Sequence, residues 1–325
     1  MIISRTPLRM SFVGGGSDLP SFYRQFGGAV LSTAIDKYVY VTINPKFDNS
    51  IRVSYSKTEE VESVDEIEHK LVRSILKYLE IDGGVEITSI ADIPSRGTGL
   101  GSSSAFAVGL LNALYAHKRV FAPAELLAGK ACHIEIDVNG EPIGKQDQYA
   151  SAFGGLNLIE FHEDDTVSVN PIICHKETRA RLEQNILVLY TGITRNASRV
   201  LEEQNKQIST DSKKADALKK MVQFTYDLRT ELQKNNLDSF GEILHENWLL
   251  KRSLCSSVST EQIDEWYNRG MRAGAKGGKL LGAGSGGFLM FYAPVEFHAD
   301  IVNAVKLRPV KLGFDREGSK IIFVH

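Results

Sequence analysis

The sequence predicts an α+β protein of two domains, and three observations support the prediction. In the first half of the chain, runs of β-branched and aromatic residues alternate with glycine-rich turns and helical segments. After residue 161 the pattern changes to polar segments of helical periodicity. The 325 residues also exceed what one hydrophobic core usually serves. We therefore expect a boundary near residues 175–185, with an N-terminal domain over 1–180 and a C-terminal domain over 181–325.

The elements of the N-terminal domain follow from side-chain patterns. Strands are expected where β-branched and aromatic residues concentrate, at Val30–Ile35, Tyr38–Asn44, Ile51–Tyr55 and Val85–Ile90. Apolar residues recur near helical spacing over Asp65–Leu79, which predicts a helix there. A second, apolar helix is expected over Phe106–Leu114.

The C-terminal domain is predicted to begin with a strand at Ile186–Tyr190. Polar helices are expected to follow across residues 196–254. From Thr260 onward helical and extended segments alternate, through Phe288–Tyr292, Val295–Val305 and Lys320–Val324. These helices and strands complete the α+β pattern.

Composition and charge argue against several classes of protein. The formal net charge of −2 disfavours an extended nucleic-acid-binding surface. The sequence contains no apolar run of about 18 residues, and its first residues lack the basic and apolar segments of a signal peptide. We therefore expect a cytoplasmic protein that binds neither nucleic acid nor membranes.

The strongest local signal is a glycine- and serine-rich loop that runs into the apolar helix. Glycines let a ligand approach the backbone, and the free N–H groups at a helix start form an anion site. Serine hydroxyls beside a phosphate are natural magnesium ligands. The alternative is a glycine turn whose serines cap the helix. The candidate nucleotide-binding residues of this loop are Pro94, Gly97, Gly99, Leu100, Gly101, Ser102, Ser103, Ser104 and Ala105.

This loop is neither of the two common nucleotide-binding patterns. The Gly-Lys-Ser/Thr ending of a P-loop is missing. Serines replace the third glycine of a Rossmann fingerprint, and the chain lacks repeated parallel βαβ units. Dehydrogenase chemistry is therefore disfavoured.

A second glycine-rich segment lies near the N-terminus, at Pro7–Pro20. Its adjacent glycines open space beside the backbone, and Arg9 and Asp18 offer one cation and one acceptor to a polyhydroxy substrate. The alternative is a loop with a surface ion pair. The candidate substrate-binding residues here are Gly15, Gly16, Ser17 and Asp18.

The third segment, Gly274–Gly287, has more glycines than a hairpin turn needs. This density indicates a backbone that closely approaches a ligand or another loop. Ligand contact by Gly282, Gly284 and Gly286 is one interpretation, and contact with another loop is the other.

Two carboxylates, Glu135 and Asp147, form a candidate acidic pair. Gly140, Pro142 and Gly144 interrupt the chain between them, so the two side chains can converge from separate elements. One carboxylate could hold a metal and the other could act as a base. The alternative is that both are solvated, as most acidic residues are.

The three glycine-rich segments, in this order over residues 7–287, resemble those of the GHMP kinase superfamily. Pro7–Asp18, Gly144–Ser151 and Tyr190–Arg195 are similar to the D-glycero-D-manno-heptose-phosphate kinases within it. The resemblance implies an N-terminal domain like domain 2 of ribosomal protein S5 and a ferredoxin-like C-terminal domain. It also implies that ATP and a sugar bind between them.

The resemblance further implies roles for the nucleotide-side residues. Gly99–Ser104 would surround the triphosphate of ATP. Ser103 and Glu135 would be the magnesium ligands. Asp147 would be the general base, and Arg9 would stabilise charge near the transferred phosphoryl group.

On the substrate side, the resemblance implies that Asp18 binds sugar hydroxyls and that Gly282–Gly286 close the site. The phosphate of a sugar-phosphate substrate requires a second anion site. Lys145 and Arg195 are the preferred candidates for it. The other candidates are Arg199, Lys276 and Lys279.

The implied activity is ATP- and Mg²⁺-dependent phosphorylation of the anomeric hydroxyl of a small-molecule sugar phosphate. The first choice of substrate is D-glycero-D-manno-heptose 7-phosphate, giving the 1,7-bisphosphate for surface glycans. One alternative is a kinase for galactose, fucose or mevalonate. Another is a catalytically silent sensor of sugar or ATP. The sequence leaves open whether the protein is a monomer or a homodimer.

Overall fold

Two β-sheets with helices packed against them make up the protein. The computed structural model describes residues 1–93, 97–194 and 197–325. Within these ranges the strands are β1 (Ile2–Val13), β2 (Gly28–Pro45), β3 (Ile51–Ser54), β4 (Thr58–Val61), β5 (Val85–Ala91), β6 (Leu156–Phe161), β7 (Val167–Pro171), β8 (Ile186–Tyr190), β9 (Gly277–Leu280), β10 (Phe288–Tyr292), β11 (Arg308–Val310) and β12 (Lys320–Val324).

The helices lie between these strands in an irregular alternation. Within the same ranges they are α1 (Pro20–Phe26), α2 (Lys70–Tyr78), α3 (Ser102–His117), α4 (Ala124–Cys132), α5 (Gln146–Phe153), α6 (Lys176–Gln184), α7 (Ala197–Thr210), α8 (Ser212–Gln233), α9 (Phe240–Leu254), α10 (Glu261–Arg272) and α11 (His298–Val305). A π-helical turn, His133–Val138, continues α4. The α+β prediction is confirmed.

Within the described residues the first sheet has eight strands: six follow the order β12-β1-β2-β5-β3-β4, β6 pairs with β2, and β7 pairs with β6. Its centre is the long pair β1 and β2, which is antiparallel from Ile2 to Val13. Pro7 lies inside β1, although proline cannot donate to the ladder. The strand tolerates it because the register shifts between Pro7 and Leu8, which marks a bulge.

The second sheet is antiparallel, with the order β11-β8-β10-β9. A four-stranded antiparallel sheet is what a ferredoxin-like domain requires. Helices α9, α10 and α11 pack near it through residues such as Trp248, Tyr267 and Ile301. Among the described residues, no helix is both long enough and apolar enough to cross a membrane.

The chain crosses between the two sheets twice. Most of residues 181–325 surround the second sheet, but the last strand, β12, pairs with β1 of the first sheet. Lys320–Val324 therefore belongs with the N-terminal elements, although the division from sequence places it in the C-terminal domain.

Several elements differ from their predicted bounds for physical reasons. The two predicted strands Val30–Ile35 and Tyr38–Asn44 form one continuous strand, β2. The helix predicted over Asp65–Leu79 begins only at Lys70, after a short 3-10 turn, and the His69 ring caps it by accepting from the Val72 N–H. Strand β1 was not predicted because its proline and the glycines after it indicate a loop.

Helix α3 is apolar on every face because it is buried between other elements. It lies close against β1 at Gly109, where an added Cβ would come within 2.7 Å of the Thr6 hydroxyl. The Ser4 hydroxyl donates to the Gly109 carbonyl at 2.8 Å. This contact fixes the middle of α3 beside the first half of β1, and the Arg9 backbone N–H, which donates to the Leu100 carbonyl at 3.1 Å, places the start of α3 beside Arg9.

Candidate active site

A cavity of about 1040 Å³ lies between the two groups of elements. Its walls come from the end of β1 and the loop after it, the start of α3, the start of α5, and the C-terminal segments α9 and β9. This volume is sufficient for two small molecules. Residues from both halves of the chain therefore meet at one site.

The start of α3 opens onto this cavity. Gly101 precedes the helix with a φ of 74°, a left-handed conformation that favours glycine. The N–H groups of the first turn have no partners within the helix and, with the helix dipole, attract an anion. Ser103 is exposed here, and the buried Ser102 hydroxyl has no hydrogen-bond partner among the described residues. A phosphate group fits this arrangement of donors.

Gly99 and Gly101 allow the loop to contact two other segments directly. A Cβ on Gly101 would lie 3.2 Å from the Asp147 carboxylate, and one on Gly99 would lie 2.2 Å from the Leu281 carbonyl oxygen. Gly97 also lines the cavity, whereas Leu100 and Ala105 are buried in the apolar core. Pro94 lies outside the described residues.

Arg9 and Asp147 form a bidentate ion pair at the start of α3. Arg9 donates from Nε to Asp147 Oδ1 at 2.7 Å and from Nη2 to Oδ2 at 2.8 Å. Its Nη1 donates to the Gly99 carbonyl at 2.7 Å, and its backbone N–H donates to the Leu100 carbonyl at 3.1 Å. The Asp147 side chain remains 24% exposed toward the cavity. The alternative of a surface ion pair does not apply to Arg9, which is buried.

Glu135 comes from the π-helical turn, a feature that often occurs at functional sites. Its carboxylate accepts hydrogen bonds from Gln148 Nε2 at 2.7 Å and from the Ser103 hydroxyl at 3.3 Å. Burial raises the pKa of Glu135 from 4.5 to about 7, even though hydrogen bonds from Gln148 and Ser104 oppose the shift. A cation beside it would favour the ionised form.

The oxygen atoms of Ser103 and Glu135 suit a hard divalent cation such as Mg²⁺. In the described part of the chain, no three His, Cys, Asp or Glu side chains cluster closely enough to hold a metal by themselves. Mg²⁺ commonly takes one or two protein ligands and completes its shell with phosphates and water. The donor set present here fits that pattern.

The loop after β1 holds Asp18 at the cavity wall, beside the start of α5. Asp18 accepts hydrogen bonds from the backbone N–H groups of Gly16 at 3.0 Å and Gln146 at 3.3 Å. Gly15, Gly16 and Asp18 line the cavity. Ser17 does not, because it is buried and its hydroxyl donates to the carbonyls of Gly14 and Ala29.

The predicted phosphate-binding Lys145 lies outside the cavity wall. Its ammonium donates to the Asp165 carbonyl at 3.0 Å and lies 4.8 Å from the centroid of the Tyr23 ring. It therefore packs against Tyr23 and Asp165, away from the cavity into which the first turn of α5 brings Asp147. The second preferred candidate, Arg195, lies outside the described residues.

The third glycine-rich segment packs mainly against other loops. A Cβ on Gly282 would lie 2.4 Å from the Cα of Gly99, so these two backbones are in contact at the cavity. Gly284 and Gly286 pack in the same way against Val258 and Ile193. Contact with other segments accounts for Gly284 and Gly286, whereas Gly282 also lines the cavity, and its contact with a ligand stays a prediction.

Lys251 on α9 is a cavity residue that sequence reasoning missed. It is 6% exposed, and its ammonium donates to the Gly15 carbonyl at 3.0 Å. A signal was present, because Asn247 and Lys251 share the helical stripe of the apolar residues Leu244, Trp248 and Leu254. Polar residues at core positions of a helix indicate a buried contact or a site.

The other end of the cavity is aromatic. The rings of Tyr55 and His69 have centroids 4.7 Å apart, and those of His69 and Phe106 are 5.5 Å apart. Val39 and Ile90 also line this end. Such a surface suits a flat heterocycle. The cavity thus has an apolar aromatic end, the start of α3 in its middle, and a polar end at Gly15 and Gly16.

Comparisons with known proteins match both halves of the chain. Residues 68–155 match the GHMP kinases N terminal domain, and residues 228–302 match the GHMP kinases C terminal domain. The chain is 28% identical to a D-glycero-alpha-D-manno-heptose 7-phosphate kinase of Campylobacter jejuni, and the match covers 98% of each chain.

Two further relatives extend the comparison. A galactokinase of Pyrococcus furiosus is 27% identical over 88% of this chain and 87% of its own. Among solved structures, a D-glycero-D-manno-heptose 1-phosphate kinase from Bacteroides thetaiotaomicron superimposes with a TM-score of 0.81. It is 26% identical, and the match covers 100% of both chains.

Proposed function

This chain belongs to the GHMP kinase family, and we propose that it is an ATP- and Mg²⁺-dependent kinase that phosphorylates the anomeric hydroxyl of a sugar phosphate. The proposed substrate is D-glycero-D-manno-heptose 7-phosphate, and the product is the 1,7-bisphosphate. Its relatives are named as kinases for heptose phosphates, galactose and mevalonate.

The observation that carries this proposal is the Arg9–Asp147 pair at the start of α3. A carboxylate, a guanidinium and a set of free helix N–H groups lie within contact of one another at a cavity wall. Phosphoryl transfer needs alignment and neutralisation of charge more than covalent chemistry. These groups supply both.

Asp147 is the proposed general base. Each of its oxygens accepts one hydrogen bond from Arg9, and a carboxylate oxygen has a second lone pair to accept the proton of the attacking hydroxyl. As that proton leaves, the hydroxyl oxygen forms a bond to the terminal phosphorus of ATP, and ADP departs.

Arg9 orients this base and stabilises charge near the transferred group. Its three hydrogen bonds to Asp147 and Gly99 fix the guanidinium between the base and the phosphate loop. The N–H groups at the start of α3 would hold the phosphates, and Ser103 with Glu135 would hold Mg²⁺. Bound there, Mg²⁺ would neutralise negative charge on the phosphate oxygens.

The choice of a heptose phosphate rests on the relatives and on the polar end of the cavity. The match to the Campylobacter jejuni enzyme extends over 98% of both chains, so no large insertion separates the two. Asp18, fixed by the N–H groups of Gly16 and Gln146, offers a rigid acceptor for sugar hydroxyls.

A substrate panel tests this proposal. Purified protein with ATP and Mg²⁺ would receive heptose 7-phosphate, galactose, fucose or mevalonate, and ADP release would be followed by a coupled assay. We expect the highest kcat/KM with heptose 7-phosphate, and phosphorus NMR of the product should show a new anomeric phosphate. Faster turnover of a neutral sugar or of mevalonate would reject the proposed substrate.

A further inference from the structure

Two buried lysines direct ammonium groups to the polar end of the cavity. Lys251, from α9, donates to the Gly15 carbonyl at 3.0 Å and to Gln204 Oε1 at 3.1 Å. Lys279, from β9, donates to the carbonyls of Ser11 at 2.8 Å and Phe12 at 3.1 Å. Both lysines line the cavity.

Among the residues that the structure describes, the partners of each ammonium group leave one donor for a ligand. An ammonium carries three N–H bonds, and the contacts of Lys251 and Lys279 to the protein account for two on each. These contacts also hold the two side chains in place. The third N–H bonds of the two lysines are therefore available at a fixed position.

The electrostatics around the two lysines favour an anion. In the described part of the chain, neither lysine lies within ion-pair distance of a carboxylate. Burial, together with the nearby positive charges of Lys251 and Arg9, lowers the pKa of Lys279 to about 7. Burial also lowers the pKa of Lys251, against the attraction of Asp18. A bound anion would relieve this unfavourable burial of charge.

A purely structural role explains less. Backbone carbonyls such as those of Gly15 and Ser11 can be satisfied by neutral donors, at far lower desolvation cost than an ammonium requires. The charged groups that act on the two ammonium groups include Arg9, which opposes the charge of Lys279, and Asp18, which favours that of Lys251. Among the described residues Asp18 makes no ion pair with either lysine, so an anionic ligand would be their direct partner.

The spacing of residues along β1 separates the two lysine ammonium groups from Asp147, the proposed base. Arg9, which holds Asp147, precedes Ser11 and Phe12 by two and three residues, which is about 7–10 Å along a strand. A seven-carbon sugar can bridge such a gap. One end of the sugar would then lie at Asp147 while the other reaches the two lysines.

We propose that Lys251 and Lys279 form a subsite that binds the phosphate group carried by the acceptor sugar, at the end remote from the reacting hydroxyl. This inference rests on the proposed sugar-phosphate kinase activity. It assigns the phosphate group to Lys251 and Lys279 instead of Lys145, the lysine predicted from the sequence. The subsite makes the enzyme select a phosphorylated sugar over the same sugar without phosphate.

The first test compares two substrates that differ only in the distal phosphate. The kcat/KM values for heptose 7-phosphate and for the unphosphorylated heptose are measured with the wild type and with Lys251→Met. Removing one partner of a buried charged contact predicts a fall of about 30- to 1000-fold for heptose 7-phosphate. The value for the unphosphorylated heptose should change by less than about 5-fold.

Two further variants show whether the effect is specific. Lys220→Met removes a surface lysine whose partner is Glu246, and it should leave both values unchanged. Lys145→Met tests the rival lysine, and it should not alter the ratio between the two substrates. Equal losses for both substrates in Lys251→Met, or a selective loss in Lys145→Met, would overturn the proposal.

A binding measurement tests the phosphate subsite without depending on the proposed kinase activity. With AMP-PNP and Mg²⁺ at saturating concentrations, the phosphate loop is filled, and inorganic phosphate is added while the thermal unfolding midpoint is recorded. We expect a saturable rise in the wild type that is absent in Lys251→Met and in Lys251→Gln. No rise in the wild type overturns the subsite, even if heptose 7-phosphate is turned over. A rise without heptose turnover retains the subsite and rejects only the proposed substrate.

Discussion

Replacing Asp147 by Asn is the sharpest perturbation of the proposed mechanism, because it removes a base while nearly keeping the shape of the side chain. In the wild type, the carboxylate accepts hydrogen bonds from Arg9 at 2.7 and 2.8 Å. An Asn side chain accepts through one oxygen only, and its amide group would present N–H bonds toward a guanidinium N–H. Arg9 keeps its third hydrogen bond, to the Gly99 carbonyl at 2.7 Å.

The expected magnitude follows from these contacts. An amide has negligible basicity at neutral pH, so Asp147→Asn removes general-base catalysis, which typically contributes 10²–10⁴-fold. This corresponds to about 3–5 kcal/mol of the activation barrier. Because Arg9 remains anchored at Gly99, the phosphate loop should keep its shape and the Kd for ATP should change by less than about 3-fold.

The assay is Mg²⁺-dependent ADP release at saturating ATP and sugar phosphate, with nucleotide affinity measured separately by titration calorimetry. The matched control is Asp264→Asn, which weakens another Asp–Arg pair, with Arg252 at 2.6 Å, outside the cavity wall. We expect turnover of this control to stay within about 2-fold of the wild type. Turnover of Asp147→Asn within 10-fold of the wild type would refute the assignment of the base.

Three further predictions address the metal site, the loop contact and the buried lysine. Glu135→Gln should raise the Mg²⁺ concentration needed for half-maximal turnover about 10-fold or more, because a charged oxygen ligand is lost; an unchanged requirement would exclude Glu135 as a ligand. Gly99→Ala should weaken ATP binding and lower the unfolding midpoint, since its Cβ would lie 2.2 Å from the Leu281 carbonyl oxygen. Gly192→Ala, at a similar φ of +72° but with no atom of the described residues within 4 Å of the added Cβ, is the control and should show only a small loss of stability. Burial lowers the pKa of Lys279 from 10.5 to about 7, so between these values the unfolded chain binds more protons than the folded one. The Lys279 ammonium group should therefore increase the free energy of unfolding by up to about 1.4 kcal/mol per pH unit as the pH rises from 7 toward 10.5. Urea unfolding of the wild type and Lys279→Met at several pH values would detect this gain, and equal pH dependences in both proteins would contradict it.

The elements built from local signals were predictable from the sequence. The glycines and serines around Gly101 identify the start of α3 because backbone freedom and helix capping are local properties. The breaks between Glu135 and Asp147 likewise allowed two carboxylates to converge. In the structure these two residues lie on separate elements that meet beside α3.

Features that depend on contacts between residues far apart in the sequence could not be predicted from local sequence patterns. Nothing near Lys145 in the sequence indicates that Asp165 draws its ammonium away from the cavity. The apolar stripe of α9 indicates that Lys251 is buried, but only tertiary packing decides that its ammonium group lies at the cavity beside Gly15. The pairing of β12 with β1 joins segments about 320 residues apart, beyond the reach of any periodicity.

The strand β12 also constrains how the protein can move. Because the chain leaves the first sheet before β8 and returns to it at β12, two covalent connections run between the domains instead of one. A single chain connection permits one domain to twist as well as bend relative to the other. Two connections restrict this rotation to an axis that passes near both. The two sheets also share one hydrophobic cluster, in which Val188 and Met290 pack with residues such as Leu8 and Ile35, so the two connections and this packing together should hold Lys279 beside β1.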